Sequence, residues 1–260
     1  MSRRFAPAVE SLNRLATRLK NSLLRADPDL PLFDRAMLYA KRALILFFLT
    51  SFTSVIFYRL IPVGFTPLMI LRVAESALDG KAPKWRKEWV SISEISPKMQ
   101  AAVIAAEDQY FFEHNGVDWR AIEKAMEHNK RSQRVRGAST ITQQVAKNVF
   151  LWPDRSWIRK GLELYFTGML EAVWNKKRIL EVYLNVVELG DGIYGVEAAS
   201  QIYFRKSAAK LNSDESALLA ASLPNPRKLL VAKPSGYLRF RQSLIRRRIG
   251  EVKLPYNVSN

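Results

Sequence analysis

Glu107 and Asp108 close an alanine-rich stretch and are followed at once by Tyr110, Phe111 and Phe112, then by His114. An apolar setting raises a carboxylate's pKa, because burial disfavours the charged form. A glutamate so placed can take a proton from a hydroxyl. It can equally be a helix-end acid paired with one of many arginines. A second group lies in "RGASTITQQVAKN", residues 136–148. Gly137 breaks the chain, and Ser139 or Thr140 can cap a helix. Gln143, Gln144, Lys147 and Asn148 then recur at helical spacing, 143 facing with 147 and 144 with 148. Amides beside an ammonium suit sugar hydroxyls and a phosphate, although a solvated helix face has the same pattern. The third group is "DRSWIRKGLE", with Arg155, Arg159, Lys160 and Glu163. Lys160 and Glu163 form at least an i,i+3 pair. Arg155 and Lys147 can clamp a diphosphate through charge-assisted hydrogen bonds. Arg131, Arg134 and Arg136 crowd more cations into the same region.

Other chemistries are excluded or poorly supplied. The chain has no cysteine, so disulfides, thiolate zinc sites and cysteine nucleophiles are ruled out. It contains no GxxxxGK[ST] phosphate loop and no HExxH, and its two histidines are too few for a histidine-rich metal site. The net charge of +17 calls for an anionic partner: nucleic acid, an anionic membrane surface or a phosphate-bearing substrate.

The elements that must position these residues begin at a membrane. "ALILFFLTSFTSVIFY", residues 43–58, carries no charge. Extended over 41–61, with Arg59 reaching to the headgroups, it matches the roughly 20 residues that one crossing needs. A cleaved signal peptide is disfavoured, because a long basic segment precedes the apolar core and no A-x-A site follows. Nine basic residues against four acids precede or open the span, which places the N-terminus in the cytoplasm. Everything after Pro62 then lies outside, where nucleic acid is scarce, so nucleic acid is dropped as the partner. Residues 1–40 read as a basic cytoplasmic tail, in which "VESLNRLATRLKNSLL" can form a surface helix. Residues 62–95 read as a membrane-proximal connector. Its proline-broken start, "PVGFTPLMILR", lies at the outer interface, and a short strand follows in 76–93.

From Ser96 the spacing is helical. Ser96-Pro97 reads as a cap with proline at the first helical position, and the helix is expected to continue through Phe112. Further helices are expected over 118–131, 139–151, 157–174, 176–190, 195–204 and 213–223, the fourth of these stopping at Gly190 and the last at Pro224. Little of the chain alternates with period two, so residues 96–260 are expected to form one mainly α body.

"EDQYFFEHNGVD", "GASTITQQVAKN", "RKGLE", "KKRILEVYLNVVELG" and "GVEAASQIYF" occur in that order over about 100 residues, and the pattern continues through "LPNP" to "PSGYLRFRQ". This succession resembles the peptidoglycan glycosyltransferases, enzymes that polymerise the lipid-linked disaccharide-pentapeptide lipid II. With no transpeptidase half following, the resemblance is to the monofunctional form. It implies a lysozyme-like, mainly α glycosyltransferase domain with one N-terminal transmembrane helix, anchored in the bacterial inner membrane and facing the periplasm. It implies catalytic roles for Glu107 and Glu163. Ser139, Gln143, Gln144, Lys147, Asn148, Arg155, Arg159 and Lys160 become substrate and diphosphate contacts. Asp108, His114, Asn185 and Glu188 become supporting residues. Glu163 is left with two roles, holding a divalent cation (Mg or Mn) on the diphosphate or orienting the cations. The implied partners are lipid II, the growing lipid-linked glycan, the bilayer and other cell-wall synthases. Two other classes stay open: a glycan-cleaving lytic transglycosylase or muramidase, and a non-catalytic membrane scaffold of wall synthesis.

Overall fold

The computed structural model describes residues 31–80, 82–131, 137–154 and 156–256. The pattern read in residues 1–30, and Arg134, Arg136 and Arg155, lie outside the described residues. The chain divides into two compact units, Met1–Ile56 and Phe57–Asn260.

Most of the first unit's described part is helix α1, Leu32–Leu60, which begins nine residues before the expected span. It is long and apolar enough to cross a membrane. Leu44, Leu46, Leu49, Phe52 and Phe57 are exposed along it, a placement that suits hydrocarbon and not water.

The second unit is mainly α, as expected. Helix α2, Pro67–Leu78, forms where the sequence suggested an irregular connector. The two prolines were the misleading signal. Pro67 opens this helix rather than breaking it, behind an N-cap in which Thr66 accepts from the Met69 amide. Ile70, Leu71 and Leu78 remain exposed on α2. Strand β1, Arg86–Lys87, is the short strand expected in the connector. It pairs parallel with β3, Ile193–Tyr194, which pairs antiparallel with β2, Glu188–Gly190.

Helix α3, Pro97–Glu107, is buried without a break from Met99 to Ala105, so it runs through the core. It ends at Glu107, not Phe112. The Asp108 backbone turns out to φ −159°, and its carboxylate is claimed by groups far away in sequence. Helices α4 (Trp119–Arg131), α5 (Ile141–Phe150), α6 (Trp157–Val173) and α7 (Lys176–Val186) follow. Helix α7 stops four residues before Gly190, because Glu188–Gly190 leaves the helix to become β2. Helices α8 (Val196–Phe204), α9 (Ser213–Ser222) and α10 (Gly236–Ile249) complete the body. Helix α10 is absent from the sequence expectations. It packs with α9 and α3, while α5 packs with α6 and α7.

Arg178 on α7 ties the body to the last turn of α1. Its guanidinium donates to the Tyr58 carbonyl at 2.9 Å and the Ile61 carbonyl at 2.6 Å. It also pairs with Glu181 at 2.5 Å and lies over the Trp89 and Trp174 rings. The carbonyls at a helix C-terminus lack partners within the helix, and a cation is their natural complement. Arg178→Ala is expected to destabilise this unit by about 3 kcal/mol, since it also leaves the half-buried Glu181 carboxylate with the Ile92 amide in place of a cation. Thermal unfolding of the detergent-solubilised chain checks this; an unchanged Tm would contradict it.

Candidate active site

The site is built from the end of α3 and the facing sides of α5 and α6. Glu107, the last residue of α3, keeps part of its surface open. Its Oε2 accepts from Gln144 Nε2 at 2.8 Å, and Gln144 Oε1 accepts from the Tyr183 hydroxyl at 3.3 Å. This chain fixes the Gln144 amide orientation and leaves Glu107 Oε1 without a hydrogen bond among the described residues. Burial raises the Glu107 pKa; the Gln144 bond and the charges of Arg241 and Lys147 oppose the rise without cancelling it. A carboxylate with one oxygen held, the other free and its basicity raised has the properties of a general base.

Asp108 has a different task. Its Oδ2 accepts from the Ile141 amide at 2.9 Å, at the start of α5, and its Oδ1 meets His114 Nε2 at 2.8 Å. The Gly116 amide donates to His114 Nδ1 at 3.1 Å. Nδ1 is therefore the acceptor, and Nε2 carries the proton given to Asp108. Gly116 has φ +83°, and a Cβ there would lie 2.6 Å from Thr167 Cγ2. Only glycine fits this turn. The two supporting residues thus lock the first motif onto the α5 N-terminus and so aim Glu107.

Helix α5 divides its two glutamines. Thr140 caps it in a box with Gln143: the Gln143 amide donates to Thr140 Oγ1, and the Thr140 amide donates to Gln143 Oε1. Gln143 is buried, with its carbonyl oxygen committed to this cap. Gln144 faces Glu107. One turn later Lys147 is half-buried, and its ammonium makes no hydrogen bond among the described residues. Burial lowers its pKa; Glu163 and Glu107 counteract this, while Arg159 and Lys160 add to it. Lys147 therefore sits in the combined field of both acids and both neighbouring cations. Asn148 is half-buried, and Ser139 is exposed on the loop before α5.

On α6, Ser156 caps the helix through the Arg159 amide, as its position suggests. Glu163 is buried and both its oxygens are taken, Oε2 by Arg159 Nη1 at 2.7 Å and Oε1 by Lys160 Nζ. Among the described residues no three His, Asp or Glu side chains converge as a metal cage would require. Glu163 thus holds Arg159 and Lys160 side by side on α6.

Two expected supporting residues lie away from this face. Asn185 is fully buried and holds the connector, accepting from the Val90 amide at 3.0 Å and donating to the Val90 carbonyl at 2.9 Å. Glu188 is on β2 in the field of Arg72 and Arg227. Tyr183 and Arg241 were not foreseen as site residues. Tyr183 lies in sequence on one helical face with Ile179, Val182 and Val186, and nothing in that apolar pattern marks its hydroxyl. Arg241 falls within "PSGYLRFRQ", the end of the motif succession, but only the packing of α10 on α3 shows why its charge reaches Glu107.

The model of the transglycosylase family matches residues 76–249. The chain belongs to the transglycosylase family. That match spans Glu107, Gln144, Lys147, Arg159, Lys160, Glu163 and Arg241, so the whole described face is part of the family domain. The mainly α body agrees with the lysozyme-like architecture of such domains. Proteins named biosynthetic peptidoglycan transglycosylase are similar over most of their length. The one from Bdellovibrio bacteriovorus is 55% identical over 208 residues, covering 80% of this chain and 83% of that one. The one from Bacteroides thetaiotaomicron is 53% identical over 209 residues, covering 80% and 84%. The one from Shigella boydii is 56% identical over 190 residues, covering 72% and 78%.

Within this transglycosylase site the Gln144 bond makes a direct prediction. That bond lowers the Glu107 pKa, so Gln144→Ala is expected to move the acid limb of kcat/KM to higher pH. A limb that stays in place would remove Gln144 from the account.

Proposed function

We propose that the chain polymerises lipid II into β-1,4-linked glycan strands, with Glu107 as general base. Glu107 Oε1 takes the proton from the 4-hydroxyl of the acceptor's N-acetylglucosamine. The hydroxyl oxygen attacks the anomeric carbon of the donor's N-acetylmuramic acid. The bond from that carbon to the diphosphate oxygen breaks, undecaprenyl diphosphate departs with the bonding electrons, and the α configuration becomes β. A diphosphate leaves without full protonation, so the useful help is cationic stabilisation of its growing charge. Lys147, Arg159 and Lys160 supply it in this reading, with Arg155 as the fourth cation.

The observation that carries the proposal is the pairing of Glu107 and Lys147. A partly open carboxylate made more basic by burial shares a face with an ammonium that has no hydrogen bond among the described residues. Hydrolysis of a glycan by the common two-carboxylate route needs two working carboxylates across one bond. Glu163, held on both oxygens, is not free to be the second.

Anchoring follows the same logic. Trp157 and Ile158 are exposed at the start of α6, directly before Arg159 and Lys160. Aromatic and basic side chains together suit the headgroup level, where a polyprenyl diphosphate presents its charge. We assign α1 to a single inner-membrane crossing, the body to the periplasmic side, and other wall synthases as neighbours. Magnesium or manganese can join this site on the diphosphate, since such ions bind through one or two carboxylates plus substrate phosphates. Glu163 would have to release a cation to take part.

The test is incubation of the purified full chain with lipid II in detergent, with and without a chelator, beside incubation with finished sacculi. Polymer from lipid II and no release from sacculi are expected. Fragments released from sacculi would overturn the proposal in favour of cleavage.

A further inference from the structure

A cavity of about 310 Å³ opens beside the first motif and is separate from the Glu107–Lys147 face. Its walls are the last turns of α3, the segment 109–113 and the chain leaving α10. Ile104, Phe112 and Val252 give it an apolar floor, while Glu113, Arg248, Glu251 and Lys253 line it with charges of both signs. Arg248, Glu251 and Lys253 form no side-chain hydrogen bond or ion pair among the described residues. Glu113 is the one already engaged, by Arg120 at 3.0 Å.

The volume is at the low end of the range for ligand pockets, about 300–1,000 Å³, which suits a short segment and not a whole disaccharide. The charge pattern narrows the choice. Among the parts of the proposed substrate, the sugars are neutral, the diphosphate is only anionic and the prenyl chain is only apolar. The stem peptide alone combines carboxylates, a cross-linkable amine and alkyl side groups. Position agrees. The helices that flank Glu107, α3 and α10, also bound the cavity. Arg241 acts on Glu107, and Arg248 lies two turns further along α10, about 10 Å at 1.5 Å per residue. On the acceptor, a single sugar ring separates the reacting 4-hydroxyl from the muramic acid that bears the peptide.

The geometry points to this cavity as the subsite for the acceptor's stem peptide, with Arg248 and Lys253 facing its carboxylates and Glu251 facing its amine. The inference rests on the proposed polymerisation and adds a determinant of acceptor choice. Its contribution is to KM, since the peptide is remote from the reacting atoms.

The experiment compares the full chain with Val252→Trp, which fills the cavity, and Arg248→Glu, which reverses a charge at an exposed position. Each is assayed with two lipid-linked disaccharides, one carrying the full pentapeptide and one trimmed to a single residue. In the wild type the full substrate is expected to have a KM lower by about tenfold, the effect of one charge-assisted contact. In both variants that ratio is expected to fall toward one. A wild type that polymerises both substrates with equal KM, or a variant that turns over substrate with the wild-type ratio, would overturn the subsite and leave the polymerase reading intact. A wild type that polymerises neither would overturn the polymerase reading itself.

Discussion

Glu107→Gln is expected to lower kcat for lipid II polymerisation by about 10²–10⁴-fold, the range that general acid–base catalysis supplies. The amide keeps the shape of the carboxyl and can still bond Gln144, but it cannot take a proton. The same substitution is expected to raise the Tm at neutral pH. The pKa of Glu107 is higher in the folded chain than in the unfolded one. Between those two values the native state holds a proton that the unfolded state has lost. Stability therefore falls as pH rises through that window, and the cost is complete above it. Glutamine removes the cost. Lost turnover with a raised Tm is the pattern of a residue kept for chemistry. Lost turnover with a lowered Tm would make Glu107 a structural acid, the other option its sequence position allowed.

Lys147→Ala is expected to lower kcat by about 10²–10³-fold, as the loss of one preorganised electrostatic donor does. The ammonium is half-buried, carries no hydrogen bond among the described residues, and stands in the field of Glu107 and Glu163. Keeping a cation there without a partner gives it a strong interaction with an incoming anion. Lys147→Arg restores the charge but not its compact shape, so partial rescue is expected. Steady-state kinetics with lipid II in detergent separates the cases. A rise in KM alone would assign Lys147 to ground-state binding, and no change would remove the diphosphate clamp.

Much of this site can be read from residue order because its chemistry depends on local spacing. Gln144 and Lys147 lie one turn apart on α5, and Arg159, Lys160 and Glu163 lie within one turn on α6. Helical periodicity brings each set within one turn without help from the rest of the fold, although the four-residue spacing pairs Lys147 with Gln143 and not with Gln144. The roles of the two adjacent glutamines were not legible. Both are amides on one turn, and the choice between cap and contact depends on where Glu107 arrives from α3. The end of α3 was misplaced for a related reason. Asp108 leaves the helix to meet Ile141 and His114, and propensity carries no trace of a bond 33 residues away. Helix α10 was hidden by its composition. Five of its fourteen residues are arginine, and only Leu238 and Ile245, seven residues apart, are buried. Helix α2 was obscured by prolines whose role changes with position: one opens the helix, where its missing amide costs nothing.

The pH dependence of kcat/KM, followed in the wild type and in Glu107→Gln, tests the role of Glu107 most directly, because it reports the ionisation of the free enzyme. The account predicts an acid limb above the ordinary glutamate range in the wild type, and residual activity without that limb in the variant. The same limb persisting in Glu107→Gln would place the proton acceptor elsewhere and contradict it.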